Sequence, residues 1–164
     1  MSAKTLALKA RLQSSGEISM RLKGGCMEPL LRTGDEAKII PAMEVKRGRI
    51  YLIELAHNDI VLHRAIAVHR DEVITKGDYT GIYESNPTAS IIGVLFAIKP
   101  RGSDFWHEFD GKRSSYMISA VLSNLLVRDK RLGKESLCHR MVRLASKKIL
   151  AAYSHQIRKR WKMI

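Results

Sequence analysis

The chain has 164 residues, 45% of them apolar, with a formal net charge of +13. This length and apolar share suit one packed core with a modest appendage and set aside general disorder. Two widely separated cysteines, Cys26 and Cys138, make no disulfide framework and point to a reducing compartment. Residues 1 to 111 carry 15 Lys+Arg against 14 Asp+Glu, whereas residues 112 to 164 carry 14 against only Asp129 and Glu135. A near-neutral body and a cationic tail are therefore expected to do different jobs.

The opening stretch "MSAKTLALKARLQSSGE" lacks the apolar core of an export signal and reads as a short basic helix or arm over residues 1 to 16. From residue 17 the pattern becomes short β-rich segments: "EISMRL", "EAKII", "RIYLIEL", "DIVLHRAIAV", "EVITKG" and "IIGVLFAI". Turn signals separate them, among them Gly24-Gly25, Thr33-Gly34-Asp35, His57-Asn58-Asp59 and Gly77-Asp78. Strands recurring about every ten residues without helical patterns between them predict an antiparallel sheet system or small barrel over residues 17 to 111. Pro100-Arg101-Gly102 ends this part, and "SDFWHEFDGKR" reads as a connector.

After Ser114 the period changes to that of a helix, with Ile118, Val121, Leu122 and Leu125 on one face. A longer helix is expected from Ser136, with Leu137, Met141, Ala145, Ile149, Ala152, Tyr153 and Ile157 in one stripe. Residues 112 to 164 thus form a basic helical region, and the whole reads as α+β with a mainly β core. The longest nearly apolar run, "MISAVLSNLLV", is about half of what a membrane span needs, so a cytoplasmic protein is expected, at most peripheral at a membrane.

Beginning at Cys26, "CMEPLLRTGD" resembles the nucleophile box of the signal peptidase I and LexA-type peptidase superfamily. The resemblance continues in order through "KRGRIYLIE", "DIVLHRAIAVHRDEVITKGD" and "IIGVLFAI", and covers about residues 18 to 100. In place of the usual aspartate of the second box stands Arg49. The resemblance implies the family's barrel-like antiparallel core, with Cys26 at the nucleophile position and His63 at the base position, directly before an arginine. Relatives carry Ser/Lys or Ser/His there. It further implies Glu84 as the residue orienting His63, and Gly25, Met27 and Pro29 as shapers of the substrate pocket. Gly24 stands where a serine commonly helps hold the oxyanion, which leaves that task to backbone N–H groups such as that of Cys26. Asp78 reads as a turn residue binding its own backbone.

The pair is chemically coherent. A free thiol has a pKa of about 8.5 and an imidazole about 6.5, and an adjacent imidazolium can pull the thiol down to a thiolate at neutral pH. The expected function is a soluble cysteine peptidase with a Cys-His dyad. It would cleave a peptide bound by strand addition, such as a cytoplasmic precursor peptide of a natural product. Two other readings share the fold: a catalytically inactive peptide-binding module, and a transferase passing the thioester to an amine. No cofactor is expected. His57, His63 and His69 are evenly spaced but lack a metal-ligand pattern, so no metal is expected either. The basic helix of residues 134 to 164 has three readings: packing on the core or on a second copy in a homo-oligomer, lying on an anionic membrane surface through Trp161 and Ile164, or recruiting an acidic partner. For nucleic acid there is charge alone, since no DNA-binding motif precedes the core.

Overall fold

In the computed structural model the residues described are 1–80, 82–109, 144, 145, 148, 149, 151, 152, 155, 156, 158 and 159. The first helix, α1 (Ala3–Ser15), begins where Ser2 accepts the Thr5 N–H at its Oγ, and it ends at Gly16 in the left-handed region, φ 74°. The Ser2 N–H also donates to both carboxylate oxygens of Glu54, at 2.9 and 3.1 Å, which ties the helix start to the sheet. The expected short basic helix is therefore present, and it does not stand apart. Leu12 is only 2% exposed and packs with Ile39 and Leu52.

Among the described residues eight strands follow: β1 (Ile18–Arg21), β2 (Glu36–Ile40), β3 (Ile50–Glu54), β4 (Ile60–His69), β5 (Glu72–Lys76), β6 (Tyr83–Pro87), β7 (Ile91–Lys99) and β8 (His107–Glu108). All pairings are antiparallel, in the order β1-β2-β7-β3-β4-β5-β6, with β8 against the end of β7. Six of the strands sit on the six β-rich segments of the sequence. The other two were not expected. β6, "YESNP", has no β-branched residue and is extended because β5 offers it a ladder, Thr75 opposite Glu84 and Val73 opposite Asn86. β8 lies inside the stretch read as a connector.

The sheet does not close into a barrel. It is an open path with β1 and β6 at its ends. It nevertheless curves, because one groove is lined both by β1 and by β4, with three strands between them in the sheet. Irregularities in the register fall at Lys38/Ile39, Leu52/Ile53 and Ala65/Ala67, and such bulges bend a strand and sharpen its twist.

β3 is buried at all five residues, and alternation sends its side chains into two separate clusters. Leu52 joins Leu12, Ile39 and Leu62 beneath α1, while Tyr51 and Ile53 join Ala65, Val73 and Val94 on the other face. Helix and sheet meet at Gly93, where a Cβ would stand 2.6 Å from Ile39 Cγ2 and 2.8 Å from Leu12 Cδ2. Over the second cluster runs the loop after β2, pinned by the Tyr51 hydroxyl, which accepts the Lys46 N–H at 2.7 Å.

Of the expected C-terminal stripe, Ala145, Ile149 and Ala152 are described, and all three are exposed. They are not buried against the core. Ser136, Leu137, Cys138, Met141, Tyr153, Ile157, Trp161 and the helix expected over residues 118 to 125 lie outside the described residues. No helix among the described residues is long and apolar enough to cross a membrane.

Candidate active site

Cys26 opens a tight turn between β1 and β2. Gly24, just before it, has φ +81°, and a Cβ there would meet nothing within 4 Å. The position therefore takes glycine for its backbone, and a serine there would be strained and would point into open space. The turn is held by Glu28 N–H to the Gly25 carbonyl, Leu31 N–H to the Met27 carbonyl, and Thr33 Oγ1 to the Gly24 carbonyl. The Glu28–Pro29 peptide is cis.

Two further contacts seat Cys26 itself. Its carbonyl accepts the Tyr79 N–H at 2.9 Å, so the Lys76-Gly77-Asp78 turn docks directly on the cysteine. Gly77 makes this docking sterically possible: a Cβ there would lie 2.6 Å from the Cys26 carbonyl oxygen and 3.1 Å from Cys26 Cβ. The thiol donates to the Leu62 carbonyl, with sulfur and oxygen 3.7 Å apart. β5 pairs with β4 only from Arg64 onward, so Leu62 lies beyond the end of that ladder, at an unpaired stretch of strand edge.

His63, the next residue, is 5% exposed, and its Nδ1 stands 2.9 Å from Glu84 Oε2. With Nδ1–H donating to that carboxylate, Nε2 is left as the acceptor. Arg64 turns to the other side of β4 and is buried outright. It donates through Nε and Nη2 to the two oxygens of Asp78, at 2.8 and 2.5 Å, and through Nη1 to the Gly48 carbonyl at 2.8 Å. Asp78 thus binds a guanidinium rather than its own backbone, contrary to the turn reading of the sequence. A buried arginine requires such a partner, and removing one half of a pair like this costs about 3–5 kcal/mol. The dipeptide His63-Arg64 on a buried strand was the available signal: a buried arginine needs an acid, and a buried histidine needs a hydrogen-bond partner.

Burial governs the electrostatics. It raises the Cys26 thiol above its ordinary value, outweighing the backbone N–H groups of Cys26 and Met27 that favour the thiolate, and the carboxylates of Asp78 and Glu84 add to the rise. His63 is lowered, again first by burial, with Glu84 opposing. Both shifts favour the uncharged forms, a thiol and a neutral imidazole, over the thiolate–imidazolium pair expected from the sequence. The structure brings His63 and Glu84 together and sets Cys26 against the residue before His63. No hydrogen bond joins Cys26 to His63 among the described residues.

Asp35, the aspartate of the Gly-Asp that follows the cysteine, is fully buried. It accepts the Arg32 and Arg101 N–H groups, each at 2.9 Å, and both terminal nitrogens of Arg158, at 2.8 and 3.2 Å. Arg158 also donates to the Leu30 carbonyl at 2.9 Å, so a residue of the cationic tail braces the cysteine turn.

A groove of about 370 Å³ leads to Cys26. Leu8 of α1, Met20 and Leu22 at β1, Leu52 of β3 and Ile60 and Leu62 of β4 form its apolar walls. Of the three residues expected to shape the pocket, Met27 lines this groove, and Gly25 and Pro29 are not among its lining residues. Among the described residues, no three His, Cys, Asp or Glu side chains gather as a metal ion would need. Compared with family models, curated proteins and solved structures, the chain gives no match.

Proposed function

We propose that this chain is a cysteine peptidase of the signal peptidase and LexA-like kind, with Cys26 as nucleophile, His63 as general base and Glu84 as the residue orienting His63. The observation that carries the reading is the buried His63–Glu84 contact at 2.9 Å, one residue along β4 from the carbonyl that holds the Cys26 thiol. An Nδ1–H fixed on a carboxylate leaves Nε2 free to take a proton, which is what general-base assistance to a thiol requires.

The two neutral groups favour a concerted start. As Sγ bonds to the scissile carbonyl carbon, the thiol proton passes to His63 Nε2. The oxyanion is held by backbone N–H groups at Cys26, because Gly24 offers no hydroxyl. The amine then leaves with the His63 proton, and a water deprotonated by His63 hydrolyses the thioester. The unpaired edge of β4 at residues 60 to 62 is suited to an extended peptide adding as a strand. The substrate class we propose is a precursor peptide, the class expected from the sequence.

A second reading has its own observation. The raised thiol, bonded to Leu62 rather than to His63, suits a binding module that holds peptides without cutting them. Acylation separates the two. Incubation with a peptide p-nitrophenyl ester near neutral pH should add one acyl group to Cys26, seen by intact mass, and His63→Ala should abolish this. Absence of both the adduct and p-nitrophenol release, or acylation indifferent to His63→Ala, would sink the peptidase reading in favour of the module.

A further inference from the structure

We infer that the groove at Cys26 selects an acidic peptide: an extended segment whose aliphatic side chains seat on the groove floor and whose carboxylates meet Lys4, Arg21 and Lys23 at its rim. This rests on the reading of Cys26 as the attacking residue and names the substrate class of that site. The walls are apolar, while three cations from two separate elements, α1 and the end of β1 with its following loop, converge on the mouth. All three are exposed, and among the described residues no carboxylate lines the groove. Glu36, the acid paired with Arg21, stands 3.7 Å from a guanidinium that is 73% exposed, a geometry that leaves Arg21 available to a ligand.

The body of the protein is close to neutral, so a concentration of positive charge at this mouth is a local feature rather than the average surface. The groove volume is in the range of small-ligand sites, enough for the side chains of a short segment and too small for a folded domain. A peptide is favoured over an acyl chain because the groove runs between two stretches of backbone, β1 at the sheet end and β4 beyond the β5 ladder. Both offer hydrogen bonds that a hydrocarbon cannot use.

The test uses the full chain carrying Cys26→Ala, which binds without turnover, and fluorescence anisotropy. The probes are a labelled peptide with Asp-Glu before Leu-Ala-Leu-Ala and its counterpart with Lys-Lys before the same residues. The acidic peptide should bind about tenfold tighter at low ionic strength, and the difference should shrink at high salt. Lys4→Glu with Lys23→Glu should reverse the preference. Glutamate is favourable in the first turn of a helix, and a thermal melt checks that the variant folds. The comparison of the two peptides on unreversed protein stands whatever the variant does. Equal affinities, an unchanged preference in a folded reversed variant, or binding of dodecanoate in place of either peptide would overturn the inference. Discrimination without cleavage by the Cys26 protein overturns the peptidase reading alone, and cleavage of both peptides alike overturns the acidic preference alone.

Discussion

His63 is buried beside a half-buried carboxylate, and the two influences on its ring oppose one another. Burial penalises the imidazolium, the Glu84 carboxylate favours it, and burial prevails. In solution the His63 ring should therefore titrate below the ordinary value of about 6.5, and Glu84→Gln should lower it further by removing the favourable charge. A proton NMR titration of the ring reads both. The same shift gives a pH dependence of stability. A histidine depressed in the fold contributes stability that is fully present above pH 6.5 or so and is lost as pH falls through the folded value. Urea midpoints should fall accordingly on acidification, and His63→Gln should flatten that part of the profile. Cys26 is shifted the opposite way, so iodoacetamide should alkylate it slowly at neutral pH and faster as pH rises into the alkaline range.

Among the elements, the cysteine turn depends on its neighbours more than on itself. The Lys76-Gly77-Asp78 turn approaches so closely that Gly77 cannot carry a Cβ without displacing backbone, since the nearest atom is the Cys26 carbonyl oxygen at 2.6 Å. Gly77→Ala should cost about 1–3 kcal/mol in denaturant unfolding, as overpacking at an unyielding contact does. It should also slow acylation of Cys26, because the displaced group is the nucleophile's own backbone. An unaltered midpoint with unaltered acylation would show that the docking of the two turns does not matter. At this scale the sequence was informative where strands carry β-branched residues and turns carry glycine. It was silent on β6, whose "YESNP" becomes a strand only through the ladder that β5 presents. Glu84 could thus be placed near His63 from the sequence only by family likeness, whereas the Thr75–Glu84 register places it there physically.

Across the whole molecule, Arg158 links the far end of the chain to the cysteine turn through Asp35. Burial would raise the Asp35 carboxyl, but the Arg158 guanidinium, followed by the Arg101 and Arg32 N–H groups, holds it below the usual carboxylate range. A depressed carboxylate contributes stability that is present above about pH 4 and is lost as pH falls through its folded value. Arg158→Ala should therefore move the acid-unfolding midpoint to higher pH, measured by circular dichroism. A midpoint that stays put would mean that the bond to Asp35 contributes nothing in solution. The charge asymmetry of the sequence said that the two ends of the chain differ; it did not say that one arginine of the cationic end is joined to a fully buried aspartate of the body.

By itself the sequence indicated six of the eight extended segments and the turns between them, and its likeness to a family singled out Cys26, His63 and Glu84. These follow from properties that act within a few residues: β-branching, glycine at turns, and the order of short motifs. Only the tertiary structure decided that the sheet stays open, that Asp78 and Arg64 pair with each other, and that burial raises the thiol and lowers the imidazole. Those outcomes depend on burial and on groups far apart in sequence, and no local pattern states how deeply a charge will be enclosed or what will stand beside it. The cysteine between two glycines and a Met-x-Pro was legible as a candidate; the upward push on its thiol comes from the packing around it.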